Sequence, residues 1–188
     1  MIAGPADRLF SFVGGAFGPW AVVRSTAVVG AGLPRAARVD VVAGPGPEGA
    51  APTWVLRGVV SNERYVTRAE KDALVSVQPP LARPDAIRAA LIPIKKTAAW
   101  WALTQDERRA IFEERSAHIA IGLGYLPAIA RRLHHGRDLG EPFDFLTWFE
   151  FAPADEGRFD ELVARLRATV EWKYVEREVD VRLSRTPG

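Results

Sequence analysis

The run of Ala, Val and Thr over residues 20–29 predicts a β-strand, residues 54–61 predict a second, and residues 83–94 lead into a third. Between the last two the pattern changes to helical spacing over 67–77, with Ala69, Ala73, Leu74 and Val77 on one side. The second half repeats the plan. Residues 126–134 and 143–151 predict a hairpin. Residues 155–169 predict a helix with a stripe of Phe159, Leu162, Val163 and Leu166, and 174–183 predict a strand turning Val175, Val179, Val181 and Leu183 inward. The longest helical signal, 104–121, joins the halves. Thr104 and Glu107 have the spacing of a capping box, Gly122 and Gly124 supply a stop, and Ile111 and His118, seven apart, share a face. Two successive units of strand, strand, helix and strand predict an α+β chain of two ferredoxin-like halves with helices on one face of each sheet. The order of strands is not readable from this pattern.

Composition narrows the function classes. With 188 residues and 48% apolar content the chain can bury one compact core or two smaller ones. Lys and Arg number 25 against 23 Asp and Glu, a formal charge of only +2, which is no footprint for nucleic acid. The absence of cysteine excludes disulfides, thiolate metal sites and cysteine nucleophiles, and fits a reducing compartment. Residues 1–12 include Asp7 and Arg8, and no apolar window reaches the length of a membrane span, so a cytoplasmic protein without a membrane partner is expected. The low-complexity stretch GPGPEGAAP, 44–52, predicts an exposed loop.

Two polar residues stand where apolar ones are expected. His118, one of three histidines, lies near the end of the predicted helix on an apolar face. A histidine in that position alone is more often a satisfied core residue than a metal ligand. Strand alternation puts Ile129, Arg131 and Leu133 on one face and Ala130, Arg132 and His134 on the other. An unpaired guanidinium is costly on an apolar face, so either a ligand anion or an internal carboxylate must accompany Arg131. Adjacency puts His134 and His135 on opposite strand faces, which argues against a second metal site there, and it leaves one of Lys95 and Lys96 for solvent.

Several separated motifs occur in a telling order: KKTAAWW (95–101), the helix with His118, YLPAIARRLHH (125–135) with Arg131, FDFLTWFEF (143–151) and TVEWKYVERE (169–178). Together they resemble the chlorite dismutase family, from about residue 54 onward, and the short N-terminal half resembles that family's short, dimeric branch. The resemblance implies a haem b protein with a truncated ferredoxin-like subdomain over 1–95 and a haem-binding one over 96–188. It makes His118 the iron ligand, Glu171 the acceptor of that histidine's hydrogen bond, and Lys96 a member of the same network. Trp100 matches a tryptophan beside the haem. Trp101 and Trp148 match aromatic positions at the haem region or the subunit contact. Arg131 matches the distal arginine of chlorite-degrading members, with Gln78 beside it, and Asn62, Arg64 and Tyr65 fall on the propionate side.

The implied reaction decomposes chlorite to chloride and dioxygen without external reductant, in a homodimer, with Arg131 steering the anion in and retaining the cleaved fragment. Two other functions compete. A coproheme decarboxylase or a peroxidase-like haem enzyme would share the fold, but the decarboxylases carry a distal glutamine where this chain has Arg131. A non-catalytic haem carrier or small-molecule-binding dimer would have no reason to combine His118, Glu171 and Arg131.

Overall fold

The computed structural model describes residues 8–46, 51–60 and 66–186. The first half contributes β1 (Leu9–Gly15), β2 (Trp20–Val29), β3 (Arg38–Ala43), β4 (Trp54–Val60) and α1 (Arg68–Val77). The second contributes β5 (Arg88–Lys96), α2 (Ala98–Ala102), α3 (Gln105–Arg109), α4 (His118–Leu123), β6 (Ala130–His135), β7 (Phe145–Phe151), α5 (Glu156–Arg167) and β8 (Val175–Ser184). The strands form a closed antiparallel barrel in the order β1-β3-β2-β8-β5-β7-β6-β4. Within each half the order is the same, fourth, first, third, second, and the halves meet where β2 pairs with β8 and β4 with β6. The expected boundary at 95/96 falls inside β5, whose partners β7 and β8 both belong to the second half.

Strand alternation divides the core in two. One set of positions fills the barrel interior, where Phe12, Trp20, Leu91, Leu146, Trp148 and Val181 pack together. The opposite set on β5 and β7, including Ile92, Ile94, Phe145 and Phe149, packs with α5 through Phe159, Leu162, Val163 and Leu166. These four are the stripe read from the sequence, and all are buried. Helices therefore cover one face of the second half's sheet. Between β1 and β4 no helix occurs among the described residues, which leaves β2 exposed from Val23 to Val28. β2 pairs with β3 only at Trp20 and Ala21, and its long ladder with β8 carries two register shifts.

The structure departs from the sequence reading in several places. Strands β1 and β3 were not marked by hydrophobic pattern. The single helix expected over 104–121 is broken into α3, a π-helical turn at Ala110–Glu114 and α4, and Ala117 takes a left-handed conformation (φ 50°) between the last two. Its start is as read: Thr104 and Glu107 form the capping box, with the Thr104 N–H donating to Glu107 Oε2 at 2.8 Å. The break means that Ile111 and His118 do not share one continuous helix face. Gly122 lies within α4 and Gly124 caps it, so only Gly124 acts as the stop. On α1 only Leu74 is buried, and Val77 is exposed. No helix among the described residues is long and apolar enough to cross a membrane.

Candidate functional site

A cavity of about 650 Å³ lies between the helices and the outer face of β5, β6 and β7. Its walls are mostly apolar, and its size suits a large planar or drug-sized ligand. Alternate strand residues line it: Ile92, Ile94 and Lys96 from β5, Phe145, Thr147 and Phe149 from β7, and Arg131, Leu133 and His135 from β6. The helical side supplies Trp100, Phe112, His118, Gly122, Leu162 and Leu166.

His118 begins α4, and local geometry fixes it there. The Glu113 carboxylate accepts the N–H groups of Ile119 at 2.6 Å and Ala120 at 3.3 Å, satisfying the free amides of the first turn. The Phe112 ring stacks on the imidazole with centroids 4.2 Å apart. His118 Nδ1 lies 2.7 Å from Glu171 Oε2, and Lys96 Nζ donates to Glu171 Oε1 at 2.6 Å. The Glu171 N–H donates to Ser116 Oγ at 3.0 Å. Glu171 is therefore held from three sides in a short 3₁₀ turn, Val170–Tyr174. Burial alone would raise its carboxyl, but the attraction and hydrogen bonds of His118 and Lys96 prevail and hold it at about 2. With Nδ1 engaged by the carboxylate, Nε2 is the nitrogen left to coordinate a metal.

The two lysines of the KK pair diverge as alternation requires. Lys95 is exposed and pairs with Glu176 at 2.8 Å, whereas Lys96 is buried beneath the cavity, with its ammonium 4.6 Å from the Trp100 ring centroid. Trp100 is 1% exposed and lines the cavity. Trp101, expected beside the cofactor, does not line the cavity. Its indole donates to Asp144 Oδ2 at 3.2 Å and stacks behind the wall on Phe145. Trp148 faces the barrel interior against Phe12 and Trp20, so it too is away from the cavity.

Arg131 comes from the facing sheet. A Cβ built on Gly122 would lie 3.8 Å from Arg131 Nη1, so the guanidinium reaches across to α4. No carboxylate among the described residues pairs with it, and burial lowers its pKa from the usual arginine value. Of the two companions expected for Arg131, the internal carboxylate is therefore not the one present among the described residues. Gln78, the C-cap of α1, donates through Nε2 to the Arg131 carbonyl at 3.0 Å. Asn62, Arg64 and Tyr65 lie outside the described residues.

Other residues of the site were not singled out in the sequence. Phe112, Glu113 and Ser116 come from the helix break, which no periodicity signals. His135 was placed opposite His134 by alternation but was not connected with the cavity, although the 129, 131, 133, 135 spacing puts it there. His134 faces the barrel interior instead, with Nδ1 3.0 Å from the Leu146 carbonyl and Nε2 accepting from Arg132 Nε at 3.0 Å. No group of three or more metal-ligating side chains occurs among the described residues.

Comparison with known proteins supplies the family. A family model for chlorite dismutase matches residues 47–186. The crystal structure of the dimeric chlorite dismutase from Nitrobacter winogradskyi is 58% identical, covers 94% of this chain and 99% of its own, and superposes with a TM-score of 0.87. The chlorite dismutase of Ideonella dechloratans is 38% identical over 86 residues, which are 46% of this chain and 28% of that protein's length. A mutant chlorite dismutase of Candidatus Nitrospira defluvii, in complex with cyanide, shares the fold at 21% identity and a TM-score of 0.63, over 94% of this chain and 90% of that one. From the extent of these matches, the chain belongs to the chlorite dismutase family.

Proposed function

We propose that this chain is a haem b enzyme that decomposes chlorite to chloride and dioxygen. The observation that carries the reading is one apolar cavity with an oriented imidazole, His118, on its helical side and, on its sheet side, the guanidinium of Arg131, which no carboxylate among the described residues pairs. The donor set fits haem: a cavity of about 650 Å³, the oriented His118 imidazole with Nε2 available, an indole wall at Trp100, and the Arg131 cation for an anion. When bound, haem supplies an iron with an exchangeable position and the redox chemistry of the reaction.

The protein's own groups have separable tasks. His118 would hold the iron through Nε2, with Glu171 fixing the imidazole tautomer and making it a stronger donor. Lys96 balances the Glu171 charge, and the Trp100 ring lies against the Lys96 ammonium. Arg131 would attract the chlorite anion into a mostly apolar site and keep the cleaved anionic fragment from escaping. Gln78 fixes the backbone from which Arg131 projects. The reaction balances internally, one chlorite giving one chloride and one dioxygen with no net electron uptake.

The same reading includes haem in the second half, two ferredoxin-like subdomains and a homodimer. The repeated strand order supports the subdomains, with no helix between β1 and β4 among the described residues and with β5 placed in the second. The dimeric relative supports the homodimer. A cytoplasmic location rests on the cysteine-free composition alone.

The test is to load the protein with haem, add chlorite at mildly acidic pH, and follow dissolved oxygen and chloride together. Equal yields of both, lost in His118→Ala, support the reading. A haem-loaded protein that releases no oxygen refutes it.

A further inference from the structure

Beside the His118–Glu171–Lys96 group, along the same cavity wall, lies a further set of buried charges that none of the roles above uses. Glu178 on β8 is wholly buried. Its Oε1 accepts from Arg167 Nε at 2.8 Å and Nη2 at 2.6 Å, and its Oε2 accepts from the Trp172 indole N–H at 2.7 Å. Arg167 also reaches Asp180 Oδ2 at 3.0 Å. A buried ion pair contributes little to stability that a well-packed apolar pair would not, so its presence calls for a role in fixing geometry.

That geometry is visible in Trp172. It follows Glu171 directly in the 3₁₀ turn, and its ring centroid lies 5.5 Å from Lys96 Nζ, while the Trp100 ring lies 4.6 Å from the same ammonium. Two indoles thus bracket the ammonium that holds Glu171. One of these indoles is pinned through its only polar atom to Glu178, and Glu178 is pinned by Arg167. We propose that Trp172 and Glu178 are positioning residues for the proximal histidine: Arg167 fixes Glu178, Glu178 fixes the Trp172 indole, and the indole sets the Lys96–Glu171 pair that orients His118.

The inference deepens the haem reading, and its effect on iron rests on that reading. Its effect on the imidazole does not. The first readout is therefore the His118 tautomer in the haem-free full chain, by nitrogen-15 NMR of labelled histidine at a mildly alkaline pH, where only three histidines need assigning. Trp172→Phe keeps the ring and removes the N–H. It is expected to lower the ratio of Nδ1–H to Nε2–H tautomer roughly threefold to tenfold, the worth of one ordinary hydrogen bond. Glu178→Gln keeps an acceptor for the indole and retains the wild-type ratio, whereas Glu178→Leu with Arg167→Met loses it. In a Glu171→Gln background, Trp172→Phe should have no further effect.

In haem-loaded protein, Trp172→Phe should also raise the ferric/ferrous midpoint potential, because a less firmly held imidazole donates less to iron. An unchanged tautomer ratio and potential in Trp172→Phe, whatever its melting temperature, overturns the proposal. So does an equal shift in the Glu171→Gln background. If the double variant fails to fold, Trp172→Phe decides alone. A wild-type chain that takes up no haem refutes the proposed function and leaves the tautomer ratio to decide this inference.

Discussion

His118 Nδ1 and Glu171 Oε2 stand 2.7 Å apart although 53 residues separate them, and the contact joins the start of α4 to the turn before β8. An imidazole held this way presents one nitrogen to the cavity in a defined orientation. Removing the carboxylate should leave a histidine that still reaches the cavity but binds metal less well. Glu171→Gln is expected to weaken haem binding by roughly ten- to a hundredfold, the usual cost of losing a partner behind a metal-bound histidine. His118→Ala should lose more, and its haem spectrum should change with it. Titration of haem into each variant measures both, and equal affinities for wild type and Glu171→Gln would remove Glu171 from the site.

Arg131 carries a cost that binding would offset. A half-buried guanidinium that no carboxylate among the described residues pairs destabilises the empty protein, and an apolar residue in its place should pack better. Arg131→Leu is therefore expected to stabilise the haem-free chain by about 1–3 kcal/mol. The same substitution should shorten the working life of the loaded enzyme as oxidant escapes. Denaturant unfolding reads the first effect, and oxygen yield per haem before inactivation reads the second.

Acid stability should be set in part by His134, far from the catalytic residues in role. Burial, with the Arg132 and His135 charges acting in the same direction, pushes its pKa from 6.5 down to about 3 despite the Leu146 hydrogen bond. Its neutral form belongs to the folded state, so the unfolded chain binds more protons between these values. The contribution is complete above about pH 6.5 and is lost as pH falls through that window toward about 3. The dependence of unfolding free energy on pH should be shallower in His134→Gln over this range. Parallel curves for the two proteins would count against His134 as the source.

The α1 helix covers the cavity, and a paired contact holds it to α3. Arg109 Nη1 and Nη2 donate to the two oxygens of Glu70 at 2.8 and 2.6 Å, and the pair is only about one-fifth exposed. Glu70 also completes the capping box of α1 with Thr67, so one side chain both starts the helix and fastens it. Arg109→Gln should speed haem loss to an apo-globin acceptor by roughly two- to fivefold, and raised salt should narrow the difference. Identical dissociation rates at low salt would show that α1 does not limit exit.

Amphipathic elements with a single buried face were legible from sequence. The α5 stripe, the β6–β7 hairpin and the placement of Arg131 toward the cavity all follow from spacing, because burial on one side writes a period into the chain. The π turn and the kink at Ala117 were not legible. Residues 105–121 contain no proline, and their helix-forming content reads as one continuous segment. What breaks it is tertiary: Glu113 turns back to cap α4, and Phe112 packs on His118. Strands β1 and β3 carry no clean one-sided period: the buried residues of β1 include the neighbours Ser11 and Phe12, and only Val39 is buried in β3. The two indoles at 100 and 101 looked equivalent as letters, and only the path of α2 sends one into the cavity and the other behind its wall. Family motifs named His118, Glu171 and Lys96 together, but Glu178 and Arg167 carry no motif, since their partner is an indole seen only once the chain is folded.

Strand β2 has a consequence for how the protein behaves in a crowded solution. From Val23 onward its ladder runs only with β8, and that stretch is apolar enough, in Val23, Ala27 and Val28, to recruit a foreign strand and seed aggregation. The two register shifts in the ladder bend the strand, and Arg24 adds a charge to the same stretch. These irregularities protect an exposed strand beside a seam, β2 with β3, that is closed by only two residue pairs among the described residues. A β2 redesigned to be straight and uniformly β-branched would look more regular and would be the first part of the molecule to form fibres.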